Sequence, residues 1–98
     1  MNSLEEARKE INEIDRQMAE LFEKRMKVCA EIGRYKRQRG LPVRDEGREA
    51  ELARRNAGYI RSGELREYYS RFLRACIDLS CEYQSKMDGE ENDNTRKA

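Results

Sequence analysis

The sequence contains no histidine and no tryptophan, and proline occurs once, at Pro42. Without histidine there is no His-activated nucleophile, no His-rich metal site and no imidazole proton shuttle. Any chemistry must come from arginine, lysine, carboxylates, hydroxyls and amides. Charge of one sign is also missing: 21 basic residues nearly cancel 20 acidic ones, which argues against a general nucleic-acid or membrane surface. The apolar runs are too short to span a bilayer. The N-terminus MNSLEEARKE lacks an apolar signal core, so a cytoplasmic protein is expected. The three cysteines, Cys29, Cys76 and Cys81, are odd in number and lack metal-ligand spacing. They read as reduced, mostly buried thiols.

What is present is length and charge. With 98 residues there is room for one domain, and with 42% charged against 37% hydrophobic residues that domain can bury only a modest core. From Leu4 to Gln38 there is no proline, and the only glycine is Gly33. Leu4, Ala7, Ile11, Ile14, Met18, Leu21, Val28, Ile32 and Tyr35 recur in steps of three and four or their sum, a helix with a coiled-coil-like seam. Gly40-Leu41-Pro42 ends it. A helix of roughly 36 residues is about 54 Å long, whereas a compact domain of this size has a radius of gyration near ~13 Å. The helix must protrude, and a second copy of the chain is the simplest cover for its seam.

A second helix is expected from Asp45, as N-cap, to about Arg61. Ser62-Gly63 breaks it, and Ser62 can cap a third helix running to about Met87, with Leu65, Tyr69, Phe72, Cys76, Ser80 and Tyr83 on one stripe. The fold class is therefore all-α, with three helices per chain, a very long first helix and an entwined homodimeric bundle. Residues 1–87 form the domain; the tail DGEENDNTRKA, residues 88–98, is polar and aperiodic and is expected to be disordered.

Several polar residues fall where apolar ones belong. Arg25 occupies the seam between Leu21 and Val28, where an unpaired cation is costly. Alone it reads as one half of a buried salt bridge or as a register-setting residue. Lys36, eleven residues on, returns to nearly the same face; alone it reads as a snorkelling lysine. Asp45, Arg48 and Glu49 share one face of the second helix, which by itself reads as an N-cap beside a solvated ion-pair cluster. Ser80 and Gln84 sit one turn apart on the third helix, and each alone could simply bond to backbone. Taken together they describe a polar pocket inside a helical bundle, rich in permanent cations and suited to a small anion with more than one carboxylate. No residue is an activated nucleophile, so a reaction there must rest on positioning and electrostatics.

The segments ARKEINEID, EKRMKVCAEIGRYK, PVRDEGREAEL and IDLSCEYQ, in this order and spacing, resemble the all-α chorismate mutases over about residues 4 to 87. The resemblance implies an entwined dimer whose long first helices span both protomers. It also implies rearrangement of chorismate to prephenate in phenylalanine and tyrosine biosynthesis, with no metal or other cofactor. Arg25 and Arg48 match carboxylate binders within one protomer, and Arg8 a further one supplied to the partner chain's site. Lys36 and Gln84 match donors to the substrate's ether oxygen, Lys36 also helping to hold a carboxylate. Glu49 matches the group holding the ring hydroxyl, with Asp45 beside it and Ser80 lining the pocket. The catalytic set is thus Lys36, Gln84 and Arg25. Position 78 is Asp where the family often has Glu. Cys76 and Cys81 stand where aliphatic or variable residues are usual, and Ser62-Gly63 departs from the usual connection. Two other readings share these features: an isochorismate pyruvate lyase-like enzyme of the same fold, and a non-catalytic helical dimerisation or regulatory module. Asp45, Arg48 and Glu49 favour the mutase over the first. The polar seam residue Arg25 and the pair Lys36 and Gln84 favour it over the second.

Overall fold

A computed structural model describes the backbone of residues 3–97 and the side chains of residues 3–87. Three helices make up the fold in the order α1 (Leu4–Gln38), α2 (Glu46–Ala57) and α3 (Gly63–Lys97), with no strand among the described residues.

The limits of α1 follow from its end groups. Ser3 is extended, and its hydroxyl accepts a hydrogen bond from the Glu6 amide at 3.0 Å, relieving one of the orphan donors of the first turn. Glu5 and Glu6 in the first turn and Lys36 and Arg37 in the last complement the helix dipole. At the other end the Leu41 amide donates to the Lys36 carbonyl at 2.8 Å and the Gly40 amide to the Arg37 carbonyl at 3.1 Å. Gly40 has φ +67°. This is a Schellman stop, which needs a residue tolerant of left-handed backbone at Gly40.

Asp45 caps α2 as expected, its carboxylate accepting from the Arg48 amide at 3.0 Å. The helix ends at Ala57, four residues before the expected Arg61. Gly58 opens a tighter turn, in which the amides of Gly58, Tyr59 and Ile60 each donate to the carbonyl three residues back. A glycine followed by an aromatic and a β-branched residue lowers the gain from a further α-turn. The first turn of α3 opens on the Ser62 carbonyl, which accepts from the Leu65 amide at 3.1 Å. The backbone of α3 is helical ten residues beyond the expected limit near Met87. The disorder expected of residues 88–98 concerns a segment whose side chains lie outside the described residues.

Helix α3 is the common neighbour, packing against both α1 and α2. Among the described residues the buried hydrophobic side chains are only Ala30, Leu73 and Ile77, joined by Gly33 and by the polar Ser80 and Gln84. On α3 the buried stripe is therefore Leu73, Ile77, Ser80 and Gln84. The expected stripe lies about one residue around the helix, with Leu65 and Phe72 exposed. The seam of α1 is likewise exposed at Ile11, Ile14, Met18, Leu21, Val28, Ile32 and Tyr35. The face of α1 that meets α3 carries Ala30 and Gly33 instead. The radius of gyration, 17.5 Å, and extents of 60 × 30 × 15 Å record the protruding helix.

Two glycines should respond oppositely to alanine. Gly40→Ala forces a Cβ into positive φ and should cost about 1 kcal/mol net of the entropy lost from the unfolded chain. Gly47→Ala adds a Cβ inside α2 at an ordinary 3.6 Å from the Asp45 carboxylate, and should stabilise by up to about 1 kcal/mol. Urea midpoints measure both; equal effects at the two positions would contradict the helix stop described above.

Candidate active site

A cavity of about 380 Å³ opens where the C-terminal half of α1, the 39–45 connection, α2 and α3 converge. Its lining includes Arg25, Lys36, Asp45, Arg48, Glu49, Ser80 and Gln84. Seven of the eight site residues expected from sequence thus surround one space. Arg8, on the exposed N-terminal part of α1, does not line it.

Arg25 is half-buried. Its guanidinium donates to the Ser80 hydroxyl at 2.6 Å and lies 3.7 Å from the Cys29 sulfur. Ser80 in turn donates to the Cys76 carbonyl at 2.8 Å. That bond uses the single hydroxyl proton, so the oxygen faces Arg25 as an acceptor. Among the described residues the salt bridge considered for Arg25 does not form. Among the described residues neither Arg25, Lys36 nor Arg48 lies within ion-pair distance of a carboxylate. Lys36 donates to the Val43 carbonyl at 2.9 Å, which fixes its ammonium at the cavity wall and leaves two donors free.

Gln84 is buried, and its amide nitrogen donates to the Cys29 carbonyl at 2.6 Å. An amide nitrogen carries two protons, so one remains for a ligand. Glycine at position 33 makes this possible: a Cβ there would lie 3.0 Å from the Gln84 Cγ and 3.3 Å from its Cβ. Sequence reading passed over Gly33 as a lone glycine in a helix; its four-residue offset from Cys29 on α1 was the available signal.

The wall formed by α2 is organised differently from the expected cluster. Glu49 does not pair with Arg48. Its carboxylate accepts from Arg44 through both oxygens, at 3.0 and 3.2 Å, and from Arg74 at 3.0 Å. Arg44 also reaches Asp78 at 2.7 Å, tying the 39–45 connection to α3. The Arg44 guanidinium holds the Glu49 carboxyl below the usual carboxylate range, against its partial burial and with help from Arg74. Arg44 itself is pushed upward by Glu49 and Asp78.

All three cysteines are free and half-buried rather than fully buried. Burial pushes the Cys81 thiol up, so it stays protonated at neutral pH and is a poor nucleophile. Among the described residues no three metal-ligating side chains converge, and no helix is long and apolar enough to cross a membrane. What the cavity offers is three cations, one amide donor and two carboxylates, of which Glu49 is held by arginines outside it. Such a set can grip a polyanion and stabilise charge developing within it.

The family described as chorismate mutase type II matches residues 7–85, a span that contains every one of these groups. The chain belongs to the chorismate mutase type II family. Chorismate mutases are isomerases of aromatic amino-acid biosynthesis. Two curated proteins are similar over shorter stretches. A T-protein of Haemophilus influenzae is 39% identical over 49 residues, 50% of this chain and 13% of that protein. A 3-dehydroquinate dehydratase of Pyrobaculum aerophilum is 30% identical over 69 residues, 70% of this chain and 21% of that protein. This chain thus spans a small part of the length of each. No solved structure matches.

Gly33→Ala separates fold from function. Helix propensity favours alanine by about 1 kcal/mol, while Gln84 must give way by a few tenths of an ångström. Stability should change by less than ~1 kcal/mol, whereas kcat/KM should fall about tenfold or more as the amide leaves its place. A variant with parental kinetics would show that the Gln84 position does not matter.

Proposed function

We propose that this chain rearranges chorismate to prephenate in the cytoplasm as an entwined homodimer, without metal or other cofactor. The observation that carries this reading is the cavity with three cations and no carboxylate partner for any of them among the described residues. Like charges gathered around one cavity repel one another, and a dicarboxylate substrate supplies the counter-charge.

The reaction is a [3,3] rearrangement. One C–O bond breaks and one C–C bond forms within the same molecule, and no proton or leaving group is exchanged. Negative charge builds on the departing ether oxygen. In this reading Lys36, held by the Val43 carbonyl, and the second N–H of Gln84, held by the Cys29 carbonyl, aim at that oxygen. Both are preorganised before substrate arrives. Arg25 and Arg48 bind carboxylates and hold the enolpyruvyl side chain folded over the ring, which removes rotational freedom in advance. Glu49 receives the ring hydroxyl with Asp45 nearby, and Ser80 orients Arg25.

The homodimer is supported by the uncovered seam of α1 and by an apolar groove of about 450 Å³ lined by Met18, Leu21, Phe22 and Phe72. A second copy laying its long helix there would bury both. The same arrangement would bring in Arg8. It stands seventeen positions from Arg25 on one helix, or about 25 Å, too far for two arginines to grip one small ligand.

Purified protein should consume chorismate and yield prephenate, with a chelator present and nothing added. Strict dependence on a cofactor, or release of pyruvate from isochorismate in place of mutase turnover, would overturn the reading. Lys36→Ala should lower kcat/KM by ~10²–10³ while the fold persists.

Complementation tests the shared site. Arg8→Ala and Lys36→Ala homodimers should each be nearly inactive. After co-refolding, about half the dimers are mixed, each with one intact site of two, so roughly a quarter of parental activity should return. If Arg8 served its own chain, no activity would reappear even with heterodimers present.

A further inference from the structure

We propose that Arg44 and Arg74 are positioning residues that clamp Glu49 from outside the cavity and leave it a single acceptor site for one substrate hydroxyl. This rests on reading the cavity as the chorismate site.

Glu49 is the thin wall between two spaces. It lines the substrate cavity and also an outer cleft of about 410 Å³ shared with Arg44, Arg74 and Asp78. Its side chain is 12% exposed, while those of Arg44, Arg74 and Asp78 are about half exposed, at 48%, 51% and 50%. The guanidiniums therefore lie on the solvent side.

A carboxylate offers about four lone-pair sites. Arg44 Nη2 takes one on Oε1 and Arg44 Nε one on Oε2. Arg74 Nη1 takes the second on Oε1. One site remains, on Oε2. A bidentate arginine also fixes the carboxylate plane, so the last site has a set direction. Asp78 steadies the clamp, accepting from Arg44 at 2.7 Å and standing 3.8 Å from Arg74.

The clamp also protects the cations of the cavity. Lys36 and Arg48 line the same space as Glu49. An unclamped carboxylate there would be drawn to them and would compete with the substrate's own carboxylates. Held by Arg44 and Arg74, Glu49 has its charge compensated from outside.

The groups sharing these two spaces with Glu49 are Arg44 and Asp45 from the connection, Arg25 and Lys36 from α1, Glu46 and Arg48 on α2, and Arg74, Asp78 and Cys81 on α3. Arg44 is the strongest influence holding the carboxyl low. The ionised acceptor therefore persists as pH falls, until the depressed pKa is crossed. Loss of Arg44 moves that crossing to higher pH.

The test compares parent, Arg44→Gln, Arg44→Lys and Glu49→Gln, together with the Arg44→Gln/Glu49→Gln double variant. Steady-state kinetics with chorismate across pH are paired with ¹³C NMR titration of the Glu49 carboxyl. Arg44→Gln should lower kcat/KM about tenfold and shift the acid limb and the Glu49 titration to higher pH. Arg44→Lys should restore the titration more than the rate, since lysine returns charge but not the fork. In the Glu49→Gln background, Arg44→Gln should cost little more and shift nothing. An unmoved Glu49 titration, or an equal loss in both backgrounds, would overturn the clamp and reduce Arg44 to a tie between the connection and α3. A parent that does not turn over chorismate would fail the chorismate reading alone, and the Glu49 titration would still decide the clamp.

Discussion

Gln84 reaches across to the Cys29 carbonyl because Gly33 has no side chain, and the approach of α1 to α3 is set there. The buried surface between these helices is small residues on one side, Ala30 and Gly33, against Leu73, Ile77, Ser80 and Gln84 on the other. Two of the four α3 residues are polar. Both are satisfied, Ser80 between Arg25 and the Cys76 carbonyl and Gln84 on Cys29. An unsatisfied buried amide or hydroxyl would cost on the order of 1–3 kcal/mol, a large share of what so small a core can supply. The groups proposed to bind substrate are therefore also structural members of the core, held in place before any ligand arrives. That is the condition under which a donor contributes most to a transition state.

Charge is sorted by face. Outside the cavity, cations and carboxylates pair freely: Arg16 with Glu13 and Glu20, Arg71 with Glu67, Arg44 and Arg74 with Glu49 and Asp78. Most of these are exposed, and exposed pairs contribute little to stability. Facing the cavity, Arg25 and Lys36 are held by neutral oxygens, a hydroxyl and a backbone carbonyl. Neutral acceptors orient a cation without cancelling its charge. Glu49 lies on the boundary between the two regimes, with its guanidinium partners toward solvent and its remaining acceptor toward the cavity.

Much of this was legible in the sequence. Gly40 ended α1, and Asp45 opened α2, because caps and stops are local and need no knowledge of tertiary packing. The end of α2 was missed at Gly58, where a run of three-residue turns competes closely with another α-turn. The stripe of α3 was placed about one residue around because apolar periodicity does not say which face meets which partner: Leu65 and Phe72 continue a good seam, yet the monomer core uses Leu73 and Ile77. Arg25, Lys36, Ser80 and Gln84 were visible as polar residues interrupting apolar stripes. Arg44 and Arg74 were not, since in a chain with 42% charged residues nothing local separates a functional arginine from a solvated one.

The offset of the α3 stripe and the exposure of the α1 seam have a common cause. A helix that serves one chain only needs one apolar face, but α1 and α3 each carry two. One is a short face that makes the monomer core around Gly33 and Ile77. The other is a longer face, from Ile11 to Tyr35 on α1 and through Leu65 and Phe72 on α3, that the single chain leaves exposed. Sequence periodicity reports the longer face because it is the more apolar one. If a second copy covers that face, as proposed, most of the apolar burial of this protein is intermolecular, and folding and association become one equilibrium. The reach of α1 then has a chemical use as well. The turn carrying Arg8, about 25 Å from Arg25 along the helix, is far outside its own cavity and would come within range of a neighbour's. The same length that makes the monomer core inadequate would complete the partner's site.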